Sequence, residues 1–175
     1  MKESIIRANE AYSKEVADLL KELSGCSDLH LNRKPSDQGW SAIQTIHHLI
    51  LVEENAMAYL RKKLSFDPEL KPPGWLAGLK MLLLKTTLAL PIKFKAPKSA
   101  GSDKIPETDT LESVKSRWMK TRSDWTFFFE SMPENLLNKA VYRHPIIGLI
   151  SWLQTISFLS THFNRHKRQI KRAIS

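Results

Sequence analysis

Two histidines near the C-terminus have the spacing of a metal-binding pair. His162 and His166 are four residues apart in a proline-free stretch, about Leu149 to Ala173, with helical hydrophobic spacing. Side chains four residues apart lie on one face of a helix, so both imidazoles can bind one ion. They continue an apolar series, which predicts that they face the protein interior, where unpaired imidazoles are costly. A metal ion would satisfy both rings; a hydrogen-bonded histidine pair is the alternative.

A third ligand must come from another part of the chain, and His47 and His48 are the candidates. Both lie in the proline-free stretch from Ser41 to about Leu64, where neither is central to the apolar stripe containing Leu49 and Glu53. His48 is nearer to the side that carries Leu49. We expect one of the two rings to turn inward and the other toward solvent. Three neutral imidazoles would leave a coordination position open for water, as catalytic metal sites require.

The remaining histidines and the cysteine are weaker candidates. His144 precedes Pro145 just before the last helical stretch and can approach the same end of the fold. His30 belongs to no group of chemically useful residues, and we expect it in a loop. Cys26 follows the first predicted helix, and we do not expect it to be a nucleophile.

Length and composition indicate one globular domain spanning residues 1–175. Hydrophobic residues make up 42% and charged residues 26% of the chain, which excludes a disordered or fibrous protein. A single cysteine excludes a disulfide framework and a multi-cysteine zinc site. The first 20 residues contain no apolar run of the signal-peptide type. We therefore expect a reduced, cytoplasmic protein.

The net charge of +9 comes from two basic segments. Residues 71–98 contain six lysines and residues 162–175 contain five lysines and arginines, and neither segment has an acidic residue. Such segments can attract nucleic acid, an anionic membrane or an anionic small molecule, although a solvated surface is the simplest interpretation. The chain has no helix-turn-helix spacing or aromatic RNA-binding motif, so nucleic acid is not an expected partner.

Four long proline-free stretches predict an all-α, four-helix bundle. In the second of them, Ser41 and Gln44 have the spacing of a capping box, which places a helix start at Ser41. No segment alternates with period two for long enough to predict a strand. The stretches are about 2–23, 41–64, 110–132 and 149–173.

An insertion at residues 65–106 separates the second and third predicted helices. Its segment Trp75–Leu90 is apolar apart from Lys80 and Lys85, and it is shorter than the about 20 residues that span a bilayer. We expect an extra helix that covers the bundle or forms half of a dimer contact. Docking of this segment on a membrane surface is the less favoured alternative, so a membrane is not the expected partner.

Three motifs resemble the DinB/YfiT-like superfamily. They are GWSAIQTIHHL at residues 39–49 with Glu53 beyond it, HPIIG at 144–148, and HFNRHKRQI at 162–170. The resemblance covers most of the chain except residues 65–106. It implies a four-helix bundle with up-down-down-up connectivity, usually a homodimer, that holds a divalent ion such as nickel or zinc.

The resemblance also implies which residues form the site. By position the metal ligands are His48, His162 and His166, since His48 follows Trp40 by eight residues as in the superfamily. Glu53 is a candidate general base or a partner that holds a histidine ring. Arg165 is a candidate for orienting an anionic group of a substrate.

Related proteins include thiol-dependent transferases and others assigned as hydrolases. We therefore expect a metal-dependent hydrolase or a thiol S-transferase that acts on a small molecule, with a low-molecular-weight thiol as a possible second substrate. The alternative is a non-catalytic stress-response module that binds metal or a small molecule.

Overall fold

The computed structural model describes residues 1–37, 39–66, 69–74, 76–89, 102–144 and 148–175. Residues 90–101 of the insertion at 65–106 lie outside these ranges, as do residues 145–147 of the HPIIG motif. The helices are α1 (Lys2–Leu23), α2 (Asp28–Asn32), α3 (Ala42–Leu64), α4 (Ala77–Ala89), α5 (Leu111–Glu130) and α6 (Trp152–Ile174). Two short strands, β1 (Tyr142–His144) and β2 (Gly148–Ile150), form an antiparallel pair.

Capping side chains fix where α3 and α6 begin. The capping box predicted for α3 is present, because the Ser41 hydroxyl accepts from the Gln44 backbone N–H while the Gln44 side chain accepts from the Ser41 N–H. A second capping box, formed by Ser151 and Gln154, starts α6. The helix expected from Leu149 therefore begins at Trp152 instead, because residues 148–150 pair as β2.

The four long helices, α1, α3, α5 and α6, enclose one apolar core and run up-down-down-up. Helices α1 and α3 lie diagonally, and each packs against both α5 and α6. The Lys2 amine at the start of α1 donates to the Met132 carbonyl beyond the end of α5, so these two helices are antiparallel. Glu22 and Lys171 pair near the ends of α1 and α6, so those two are parallel.

Helices α3 and α5 run in the same direction although they are consecutive long helices of the bundle. Gln44, near the start of α3, contacts Glu107, just before α5. Glu54, halfway along α3, pairs with Arg117 on α5. The chain between them must therefore return along the full length of the bundle, and it carries α4 on the way.

Helix α4 is the extra helix expected within Trp75–Leu90. It packs on α6 and buries Met81 and Leu84. Three other leucines of α4 are more than half exposed, namely Leu79, Leu82 and Leu83. None of the helices in the described ranges has both the length and the hydrophobicity needed to cross a membrane.

Two local features differ from the sequence-based expectation. His30 lies in the short helix α2 rather than in a loop, and its Nε2–H donates to the Ile174 carbonyl at the end of α6, 2.8 Å away. The strands β1 and β2 were not predicted, because three residues each are too few to show a period of two.

Candidate metal centre

Three imidazoles converge at the interface between α3 and α6. The Nε2 atom of His162 lies 3.1 Å from Nε2 of His166 and 3.4 Å from Nε2 of His48. All three ligand atoms lie within 4.8 Å of one another. The spacing of four residues brings His162 and His166 to one face of α6, and that face meets the first half of α3.

This geometry fits a single divalent ion. Two nitrogens that each lie about 2.0–2.1 Å from one ion at a tetrahedral angle are about 3.4 Å apart. The two Nε2 separations at His162, 3.1 and 3.4 Å, are close to that value. Among the described residues no carboxylate or thiol joins the group, so the donor set is three nitrogens.

Burial keeps the rings of His162 and His166 in the neutral form that metal ions bind. It lowers the pKa of His162 well below the ordinary value, and the nearby His166, His48 and Arg165 lower this pKa further. Burial and the neighbouring His48 lower the pKa of His166 to about 3. At neutral pH both imidazoles therefore offer a nitrogen lone pair rather than a second N–H.

Aromatic side chains line the group on two sides. Trp40, just before the cap of α3, packs on the His48 ring with 5.0 Å between ring centroids. Phe158 stacks on His162 at 5.8 Å and meets the ring of His144 edge-on at 4.5 Å. His144 therefore approaches this end of the bundle, as its position before α6 suggested, but it is not one of the three residues whose ligand atoms group together.

His47 is buried and faces away from the group, which corrects the expectation that one of the paired histidines points to solvent. Only 3% of either ring is exposed. The His47 Nε2–H donates to a carboxylate oxygen of Asp109 at 3.0 Å, and its Nδ1 accepts from Arg117 at 3.4 Å. Both ring nitrogens of His47 are thus used in contacts with α5 and the residues before it.

Gln169 is a contact of the site that sequence reasoning missed. Its side-chain oxygen lies 3.0 Å from Nδ1 of His166, one turn earlier on α6. The spacing of three residues on a helix was a local signal for this contact.

Glu53 lies in a buried polar network between α3, α1 and α5. Its carboxylate accepts from the Tyr12 hydroxyl at 2.6 Å, from the Trp118 indole at 2.8 Å and from Arg122 at 2.6 Å. Burial and the negative charge of Glu53 raise the pKa of Tyr12 well above its usual value. Glu53 is not in the histidine group, and five residues of helix, a rise of about 7.5 Å, separate it from His48.

Arg165 is half-buried on α6, next to His166 in sequence. Burial lowers its pKa, and the positive charges of Arg168 and Arg172 lower it further. The guanidinium remains charged at any physiological pH. Arg165, Arg168 and Arg172 therefore concentrate positive charge on α6 beside the three histidines.

Comparison with known proteins agrees with the fold. The sequence profile of the DinB superfamily matches residues 11–170. The chain is 28% identical over 156 residues to the uncharacterized protein YuaE of Bacillus subtilis (strain 168), with 86% of each chain covered. It also resembles the structure of YfiT from Bacillus subtilis, which is described as a probable metal-dependent hydrolase with an unusual four-helix bundle topology. The two structures superimpose with a TM-score of 0.59 and 20% sequence identity, and the match covers 98% of this chain and 85% of the YfiT chain. Since the profile extends from α1 through the histidine pair of α6, the chain belongs to the DinB superfamily.

Proposed function

We propose that this protein is a metal-dependent hydrolase of a small molecule, with His48, His162 and His166 as the ligands of one divalent ion. The observation that carries the proposal is the group of three Nε2 atoms within 4.8 Å of one another. Membership of the DinB superfamily and the likeness in fold to YfiT, a probable metal-dependent hydrolase, support it. Nickel or zinc is the proposed ion, since imidazole suits both.

The chain's own contribution is to hold three neutral rings in a fixed arrangement and leave coordination positions open. A divalent ion held by these three residues would lower the pKa of a coordinated water to about 7 and would polarise a substrate carbonyl. Trp40 and Phe158 limit access to two of the rings from the side. Arg165 would orient an anionic group of the substrate, because it adds positive charge beside His166.

Glu53 has a supporting role in this proposal rather than that of a general base. Its carboxylate already accepts three hydrogen bonds, from Tyr12, Trp118 and Arg122. The Tyr12 and Trp118 rings both contact Phe163, the residue after His162, at 5.6 and 5.9 Å between centroids. Glu53 would therefore act by fixing the packing beneath the metal ligands.

A thiol S-transferase is the second candidate, and the neutral donor set favours it. With no described carboxylate in the group, the full charge of the ion is available to an anionic ligand such as the thiolate of a low-molecular-weight thiol. A non-catalytic stress-response module that binds metal or a small molecule would show the same site without turnover.

We further propose that the protein is a homodimer of the cytoplasm. The exposed leucines of α4 form an apolar face that a second copy of the chain would cover, namely Leu79, Leu82 and Leu83. The lone Cys26 is free, as suits a reducing compartment.

The test starts with protein expressed without an affinity tag in medium supplemented with zinc and nickel. We expect about one divalent ion per chain and metal-dependent hydrolysis of ester or amide substrates that is lost in His162→Ala. Turnover only with an added thiol would favour the transferase, and binding without turnover the non-catalytic module. Absence of bound metal under these conditions would contradict the whole proposal.

A further inference from the structure

We propose that Gln169 is a positioning residue of the metal centre, whose amide oxygen holds the His166 ring with its Nε2 lone pair directed at the other two histidines. This inference rests on the proposed function, because it concerns a ligand of that centre. The two nitrogens of the His166 ring face different partners. Nδ1 lies 3.0 Å from Oε1 of Gln169, and Nε2 lies 3.1 Å from Nε2 of His162.

The contact with Gln169 determines which nitrogen carries the hydrogen. An amide oxygen can only accept, so Nδ1 of His166 must be the donor. A neutral imidazole has one N–H, and its other nitrogen then carries the lone pair that a metal ion needs. If the amide were flipped, its N–H would donate to Nδ1, and the ring hydrogen would then lie on Nε2. That N–H would point into the histidine group and would block an ion. Gln169 thus selects the ligand form of His166 before any ion binds.

The neutrality of the amide also matters. Histidine ligands commonly donate their second N–H to a carboxylate or a carbonyl oxygen, and loss of such a partner costs about 10–100-fold in metal affinity. A carboxylate at residue 169 would orient the ring equally well but would add a negative charge next to the ion. Glutamine orients the ring without that charge, so the ion keeps its attraction for an anionic substrate.

Three variants of the full chain separate orientation from stability. Gln169→Met removes the acceptor while keeping the length of the side chain, and Gln169→Glu restores an acceptor. Gln154→Met is the matched control, because Gln154 lies on the same helix but away from the histidines. Among the described residues, its side chain accepts a hydrogen bond only from Ser151, at the α6 cap. Zinc affinity is measured by competition with a chromophoric chelator at neutral pH.

We expect Gln169→Met to bind zinc about 10–100-fold more weakly than the wild type. Gln169→Glu should bind at least as tightly as the wild type. Gln154→Met should lower the melting temperature and leave the affinity unchanged. Equal affinity of Gln169→Met and wild type, or an equal loss in Gln154→Met, would overturn the inference.

A metal-free measurement distinguishes failure of this inference from failure of the proposed function. Long-range ¹H–¹⁵N NMR of the apo protein at pH 8 reports which nitrogen of His166 is protonated. We expect Nδ1–H in the wild type and loss of that preference in Gln169→Met. An Nε2–H form in the wild type would overturn the role of Gln169. A wild type that shows the Nδ1–H form but no zinc affinity would instead contradict the proposed metal function.

Discussion

The Nε2 atom of His48 lies 3.4 Å from the Nε2 atom of His162, although 114 residues separate them in the chain. One residue earlier, the His47 ring is rotated by about 100° around α3. There it bonds Asp109 and Arg117 instead. Two adjacent histidines of the same helix thus take part in two different helix interfaces.

The first prediction separates the two adjacent histidines. His48→Gln should weaken zinc binding by more than about 100-fold, since it removes a ligand rather than an outer partner. His47→Gln should leave the affinity near that of the wild type, because its nitrogens bond Asp109 and Arg117. Chelator competition on both variants measures this. The reverse order of affinities would show that His47 is the ligand.

The second prediction concerns the independence of the fold from the ion. His162→Ala should abolish metal binding but keep the helical circular dichroism spectrum, because the core consists of apolar side chains rather than of metal bonds. Thermal melts of wild type and variant, each with and without chelator, measure this. If chelator alone unfolds the wild type, the site is structural and the catalytic proposal fails.

The third prediction tests the buried network around Glu53. Glu53→Gln should lower the free energy of unfolding by about 3–5 kcal/mol, because it leaves the buried Arg122 without its counter-charge. Urea unfolding of the metal-free protein measures the change.

Glu54→Gln is the matched control for that experiment. Glu54 pairs with Arg117 at the surface, where both side chains are more than a third exposed. Its loss should cost no more than about 1 kcal/mol. If Glu53→Gln is as stable as the control but loses all turnover with metal bound, Glu53 is the general base instead.

The fourth prediction is a loss of stability on mild acidification. Burial lowers the pKa of His144 to about 4, below its ordinary value of 6.5. Between these values the unfolded chain binds more protons than the folded one, so the free energy of unfolding falls as the pH drops from 6.5 to 4. The contribution is complete above pH 6.5.

His144→Gln removes this titration while keeping a polar side chain. Urea midpoints of the metal-free wild type and variant should therefore converge as the pH is lowered from 7.5 to 4.5. His162 and His166 remain in both proteins, so most of their own contribution to the pH dependence is common to the two. A difference in midpoint that does not change with pH would contradict the prediction.

The fifth prediction concerns the exposed face of α4. Light scattering should give twice the 20.1 kDa chain mass for the wild type, and Leu79→Glu combined with Leu82→Glu should give the monomer mass. Phe127→Glu, at a residue 68% exposed on α5, is the control and should remain dimeric. A wild-type protein of 20.1 kDa would exclude the dimer.

Local patterns predicted the helices and much of the candidate site. Proline positions, apolar spacing and the capping box at Ser41 placed α1, α3 and α5 to within two residues of their observed bounds. The pairing of His162 with His166 also followed from spacing within one helix. The start of α6 was missed although Ser151 and Gln154 repeat the capping pattern, because residues 148–150 share the apolar character of the helix that follows.

Contacts between helices were not predictable from one sequence. Whether His47 or His48 turns toward α6 depends on how α3 is rotated between α5 and α6, which local spacing does not determine. The same holds for Glu53, whose partners Tyr12 and Arg122 come from two other helices. The apolar spacing along α3 favoured His48 over its neighbour only slightly, and the resemblance to a known superfamily favoured it more strongly.

The parallel arrangement of α3 and α5 has a consequence for how this chain can vary in length. An antiparallel pair can be joined by a short turn, whereas residues 65–110 must cover the length of α3, about 35 Å. About ten extended residues would be enough for that distance. Because each doubling of a flexible connection costs only about 0.6 kcal/mol in closure entropy, extra segments such as α4 can be gained or lost at this crossover at little cost to folding. The crossover is thus the place where relatives can acquire new surfaces while the histidine-bearing helices stay unchanged.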